Sequence, residues 1–115
     1  MAATTLPTEI QLVAKLFRGF ADPTRLALLV ALAGGALRVT DLVAHLGGSQ
    51  ANVSGHLACL KDCGLVSDRP DGRSVWYSIA EPDVIAVVRA AEALLARTGE
   101  RVDLCPNYRA PRRAR

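Results

Sequence analysis

Aromatic residues are scarce in this chain: one Trp, two Tyr and two Phe among 115 residues. A core must therefore be assembled from Leu, Val and Ala, a composition that leans helical. Hydrophobic residues make up 50% of the sequence, enough material for one domain. A chain this small often gains further buried surface by dimerising. No apolar run reaches the ~18 residues of a membrane span, so no membrane partner is expected. The opening MAATTLPTEI lacks the basic-then-apolar layout of a secretory signal, so a cytoplasmic protein is expected. In that compartment the three cysteines read as thiols or metal ligands rather than as a structural disulfide.

Acidic residues are missing from the last seven positions, RAPRRAR, which hold four Arg. Taking those four from the fourteen Lys and Arg leaves ten, against eleven Asp and Glu. The net charge of +3 is thus a property of the tail. Such a tail either binds phosphates or is a solvated end. The division expected is a folded domain over residues 1–100 and a tail over 101–115.

Along the chain, Thr8 is a candidate cap for a helix carrying Ile10, Val13, Leu16, Phe17 and Phe20 at helical spacing. Asp22-Pro23 suits the N-cap and first position of a second helix, which Gly34-Gly35 stops. Thr40 is placed to cap a short third helix with Leu42, Val43 and Leu46, closed by Gly47-Gly48. Ser49 then caps SQANVSGHLACLKDCG. Two short helices about a tight glycine turn form a helix-turn-helix candidate. The period next changes: Leu65 to Arg69 and Ser74 to Ile79 read as strands around Pro70-Asp71-Gly72, a hairpin signal. Glu81-Pro82-Asp83 opens a last helix running to Gly99. The fold expected is mainly α with a β-hairpin wing: a winged helix-turn-helix.

The helix from Ser49 to Cys63 divides by face. Val53, Leu57 and Leu60 form the buried stripe. Gln50, Ser54 and Lys61 lie on one flank; Asn52, His56, Cys59 and Cys63 lie on the other. The polar residues Ser49, Gln50, Asn52, Ser54 and His56 gather in the first two turns, where such a helix meets base edges. Taken alone, the pattern equally fits an ordinary amphipathic helix; the adjoining turn and hairpin favour double-stranded DNA. Arg73 at the hairpin tip suits a minor groove or a phosphate. His56 is open between a DNA contact, a structural pair and a role in metal binding, with the first two favoured.

Three segments, Phe20-Ala-Asp-Pro-Thr-Arg25, SQANVSGHLACLKDCGLV and DGRSVWYSI, occur in an order and spacing that resembles the ArsR/SmtB family of metal-responsive repressors over about residues 10 to 98. The resemblance implies a homodimer joined through the first and last helices, bound to a two-fold symmetric operator without effector and released by it. The family's arsenical site, a Cys-x-Cys pair before the recognition helix, has no counterpart in Leu37-Arg38-Val39-Thr40-Asp41. Its zinc site on the last helix is also unmatched, since Asp83 and Glu92 occur there without a His.

Cys59 and Cys63 stand four apart, so their side chains share one helical face and suit one soft ion. Two ligands are seldom enough, and Cys105 is the candidate third. This layout is similar to the cadmium- and lead-sensing, CmtR-like branch of the family, in which a tail cysteine of the other protomer completes the site. The effector expected is Cd2+ or Pb2+, with As(III) or Zn2+ as further ions and thiol oxidation as an alternative signal. A dimerisation module without DNA is the reading from another class. An enzyme built on Cys59 and His56 lacks an orienting carboxylate, so neither a catalytic residue nor an organic cofactor is expected.

Overall fold

The computed structural model describes residues 6–99 and Leu104. Helix α1 (Thr8–Ala21) is followed by α2 (Pro23–Leu32), strand β1 (Leu37–Arg38), α3 (Val39–Leu46), α4 (Gln50–Asp62), the hairpin β2 (Val66–Asp71) and β3 (Ser74–Ile79), and α5 (Pro82–Arg97). The sheet is antiparallel in the order β1-β3-β2. This is the winged helix-turn-helix expected from the sequence.

One four-residue corner, Asp22 to Arg25, ends α1 and begins α2. The Asp22 carboxylate accepts the Arg25 amide at 3.0 Å, and Pro23 occupies the first turn, where a missing N–H costs nothing. The Arg25 guanidinium turns back and donates to the carbonyls of Gly19 (3.3 Å) and Arg18 (2.9 Å). Those carbonyls belong to the last turn of α1 and have no partner within the helix.

Four local expectations change. Thr8 is the first residue of α1 rather than its cap, and Pro7 precedes it with no side-chain cap bond. Thr40 does not cap α3, which starts one residue earlier. The Asp41 carboxylate takes the Arg38 amide at 2.9 Å and the Arg38 guanidinium at 3.2 Å, closing the helix start from inside. The same guanidinium lies 5.2 Å from the centre of the Trp76 ring. The third strand, β1, is two residues long and carries no readable period; it pairs Leu37 with Tyr77 and Arg38 with Trp76. The hairpin turn is tighter than Pro70-Asp71-Gly72: Asp71 pairs with Ser74, leaving Gly72 and Arg73 as a two-residue loop. Gly72 alone has positive φ (+63°), the pattern of a type II′ turn, which matches strand twist.

The core gathers Leu28, Leu29 and Leu32 of α2, Leu42 of α3, Val53, Leu57 and Leu60 of α4, Val66 of β2 and Val84 of α5. Burying each such side chain contributes about 1.5–3 kcal/mol. Between α3 and α4, Gly47 (φ +80°) and Gly48 (φ +85°) are left-handed in succession, which only glycine does cheaply. That turn fixes α4 against α3. A separate apolar set stays outside: Leu6, Ile10, Val13 and Phe17 are 50–56% exposed, and Leu94 and Leu95 of α5 are 61% and 41% exposed. Among the described residues, no helix is long and apolar enough to cross a membrane.

Candidate functional site

Helix α4 begins where the sequence places it. Ser49 caps it by accepting a hydrogen bond from the Asn52 N–H at 3.0 Å, and Cys63 closes it, its backbone N–H donating to the Cys59 carbonyl at 3.0 Å. Val53, Leu57 and Leu60 are 0–1% exposed and pin the helix to the core. The helix can therefore move only with the core beneath it or by pivoting on this stripe.

The two flanks face different neighbours. On one flank, Gln50 is exposed and Ser54 half-buried, while Lys61 reaches the hairpin: its Nζ donates to Asp68 at 3.0 Å. Lys61 thus ties α4 to β2. On the other flank, Asn52 is exposed and His56 is half-buried, with Nδ1 3.8 Å from the Asp22 carboxylate. The Arg25 amide bound to Asp22 holds that carboxyl below its ordinary value, and the nearby charges of His56 and Arg25 act in the same direction. His56 accordingly faces the α1–α2 corner. Arg73 is exposed at the hairpin tip.

The outermost line of α4 escaped the sequence reading. Ala51, Gly55, Ala58 and Asp62 lie opposite the buried stripe and are all exposed. A Cβ added at Gly55 would meet nothing within 4 Å, so no packing inside the domain requires glycine there. The signal was available: small residues at 51, 55 and 58 repeat at helical spacing.

Cys59 and Cys63 are free thiols, the first exposed and the second half-buried. Cys63 sits against α1. A Cβ built on Gly19 would lie 3.7 Å from the Cys63 Sγ and 2.8 Å from Leu65 Cδ1. The bare, buried backbone of Gly19 is what allows α1 to cross the end of α4 this closely. Gly19 too went unnoticed in the sequence, because its role appears only where two helices cross. Cys105 lies outside the described residues. Among the described residues, no three His, Cys, Asp or Glu side chains are grouped to hold a metal ion. The α4 pair offers two thiolates, a donor set fitting a soft ion that finds a further ligand elsewhere.

A family model described as the bacterial regulatory protein, arsR family, matches residues 22–68, which run from the α2 cap to β2. The chain is 42% identical over 106 residues to a probable mercury resistance operon repressor of Streptomyces lividans, covering 91% of this chain and 85% of that one. It is 40% identical over 105 residues to the HTH-type transcriptional regulator CmtR of Mycobacterium tuberculosis, covering 80% and 89%. In structure it is similar to a homodimeric winged helix-turn-helix DNA-binding domain from Mycobacterium bovis. The TM-score there is 0.67 at 30% identity, covering 84% of this chain and 95% of that one. With that identity spread over nearly the whole chain and the wing, corner and recognition helix in place, the chain belongs to the ArsR/SmtB family of metal-responsive transcriptional repressors and is a DNA-binding regulator rather than an enzyme.

Proposed function

We propose that the chain is a cytoplasmic homodimeric repressor that holds operator DNA in its apo form and leaves it when a thiophilic ion, Cd2+ or Pb2+, engages Cys59, Cys63 and Cys105. One observation carries this reading: a single rigid helix bears exposed polar residues at its N-terminal end and two free thiols in its last turn, the second pressed on α1. Ser49, Gln50, Asn52 and Ser54 supply base and phosphate contacts, and Arg73 on the wing supplies a phosphate or minor-groove contact. His56 and Lys61 act on DNA indirectly, through the partners that set the tilt of α4.

The exposed apolar residues of α1 and α5 form the dimer seam. Two α4 helices then read half-sites one DNA turn, about 34–36 Å, apart. The bound ion supplies only cross-linking of thiolates. Cys59 and Cys63 would be drawn to a common point one turn apart, and Cys63 would shift on Gly19. A change of angle between α4 and α1 follows, and it spoils the spacing of the two recognition helices. The relative named for mercury resistance favours Hg2+ as a competing effector at the same thiols.

The test is operator binding, followed by fluorescence anisotropy on duplexes selected by the apo protein, with Cd2+, Pb2+, Hg2+ and As(III) added in turn. The effective ion weakens wild-type binding about 5–150-fold, the range of typical allosteric coupling. Cys59→Ser and Cys63→Ser proteins that respond as wild type does would overturn the proposal.

A further inference from the structure

Helix α4 rests on the α1–α2 corner at two points. At one, His56 Nδ1 stands 3.8 Å from Asp22 Oδ2. At the other, Cys63 lies against Gly19, a buried residue of α1. Seven residues separate the two, about two turns and 10 Å along the helix, so both fall on one flank. Ser49, at the DNA-reading end, is a further seven residues from His56 in the opposite direction. The corner itself is bridged by one side chain. Helix α1 ends at Ala21 and α2 begins at Pro23, so Asp22 alone connects them. The Arg25 guanidinium spans that break: Nε donates to the Gly19 carbonyl at 3.3 Å and Nη2 to the Arg18 carbonyl at 2.9 Å. The Arg25 backbone N–H meanwhile donates to Asp22 Oδ2 at 3.0 Å. Arg25 thus grips both supports of α4: the backbone beneath Cys63 and the oxygen that faces His56.

From this arrangement we infer that Arg25 is a positioning residue for the metal response: it braces the corner, so that a displacement of Cys63 turns α4 instead of being taken up by the end of α1. The inference rests on the proposed binding of a thiophilic ion by Cys59 and Cys63. An ion that draws those thiolates together works on Cys63, and Cys63 works against Gly19. Two helices then share the displacement, and the softer one takes more of it. Without the guanidinium the end of α1 is soft. Its last carbonyls have no partner within the helix, and Leu16, Gly19 and Phe20 are its only residues that are not exposed. With the guanidinium those carbonyls are tied to α2, whose Leu28, Leu29 and Leu32 are 0–2% exposed. The bonds come from a charged donor with a rigid, planar fork, which holds two successive carbonyls more firmly than neutral or single donors do. Helix α4 then turns about His56. Cys63 and Ser49 are equally far from that point, so their movements are equal and opposite. One side chain therefore sets how much of the metal's pull reaches the DNA end of α4.

The test uses the full chain, Cd2+ and a duplex selected by the apo protein. Operator affinity is measured with and without saturating Cd2+, and the ratio is the coupling factor. Arg25→Ala removes only the guanidinium bonds, because the bond to Asp22 uses the backbone. It is expected to bind the operator close to wild type when apo and to show the wild-type thiolate-to-cadmium absorption. Its coupling factor is expected to be about 2–30-fold smaller, the range over which single changes modulate coupling between sites. Arg25→Lys keeps the charge without the fork and falls between the two. Val88→Ala, a truncation in the core on α5, lowers Tm and keeps the wild-type factor. Arg25→Ala or Arg25→Lys protein released by the full wild-type factor would overturn the brace and leave the metal reading intact. If Arg25→Ala does not fold, Arg25→Lys decides alone. A factor lost equally in Val88→Ala would overturn the brace as well, since lowered stability would be the cause. Wild-type protein that keeps its operator at saturating Cd2+ would overturn the metal reading, and the brace with it.

Discussion

His56 on the recognition helix and Asp22 at the head of α2 stand 3.8 Å apart, Nδ1 to Oδ2. Asp22 also caps α2, and Arg25 of the same corner donates to two carbonyls at the end of α1. Three helices therefore share one joint. Asp22→Ala is expected to lower Tm by about 4–8 °C near neutral pH, the size of a lost N-cap in a domain this small. The carboxyl is held below its ordinary value of 3.8, so its charge stabilises the fold above that pH. The contribution is lost as pH falls through the lower folded value. Thermal melts should show the gap between wild type and Asp22→Ala narrowing in strong acid. A gap independent of pH would mean that the charge contributes nothing.

Gly55 lies mid-helix on the outward line of α4, where glycine costs about 0.5–1 kcal/mol relative to alanine. Its Cβ space is empty within the domain. Gly55→Ala is expected to raise stability by about that amount in denaturant unfolding while weakening operator binding, because the added methyl stands between helix and groove. Unchanged operator affinity would show that this line does not approach DNA.

Arg73 occupies the second position of the two-residue wing turn and is exposed. Arg73→Ala should weaken binding to all duplexes alike and reduce the slope of log affinity against log salt by about 1 for each protomer. A variant that loses discrimination between duplexes at unchanged salt slope would place Arg73 on a base instead.

Phe17 is 56% exposed on α1, in line with Ile10 and Val13. Phe17→Glu should leave the fold of one chain intact by circular dichroism and yield a monomer by sedimentation, with loss of operator binding. A variant that remains dimeric would move the seam elsewhere. Leu57, in contrast, is fully buried, and Leu57→Ala should cost about 2–5 kcal/mol in urea unfolding.

Much of this architecture is legible in one sequence because local chemistry and tertiary structure agree. Asp22-Pro23, Ser49 and the paired glycines at 47 and 48 act within a few residues of themselves, and each does in the fold what its residue type suggests. The misses are of another kind. Thr40 looks like a cap, but Asp41 one residue on captures the Arg38 amide and guanidinium together, and three bonds accepted by one carboxylate outcompete a hydroxyl. Strand β1 exists only because β3 offers an edge to it. The stripe Val53, Leu57, Leu60 and the two polar flanks follow from helical periodicity. What each flank touches does not: Lys61 meets Asp68, His56 meets Asp22 and Cys63 meets Gly19 through chain reversals that no period encodes.

The central claim is that α4 carries both the DNA contacts and two of the metal's thiolates, so that the two ligands must oppose each other through one element. Reciprocity tests it most directly: Cd2+ affinity is measured by chelator competition for free protein and for protein saturated with operator. Linkage requires operator-bound protein to bind Cd2+ more weakly by the same factor, about 5–150-fold, by which Cd2+ weakens operator binding. In the Cys59→Ser, Cys63→Ser double variant that factor should fall to one. Equal Cd2+ affinity with and without operator in the wild-type protein would contradict the claim.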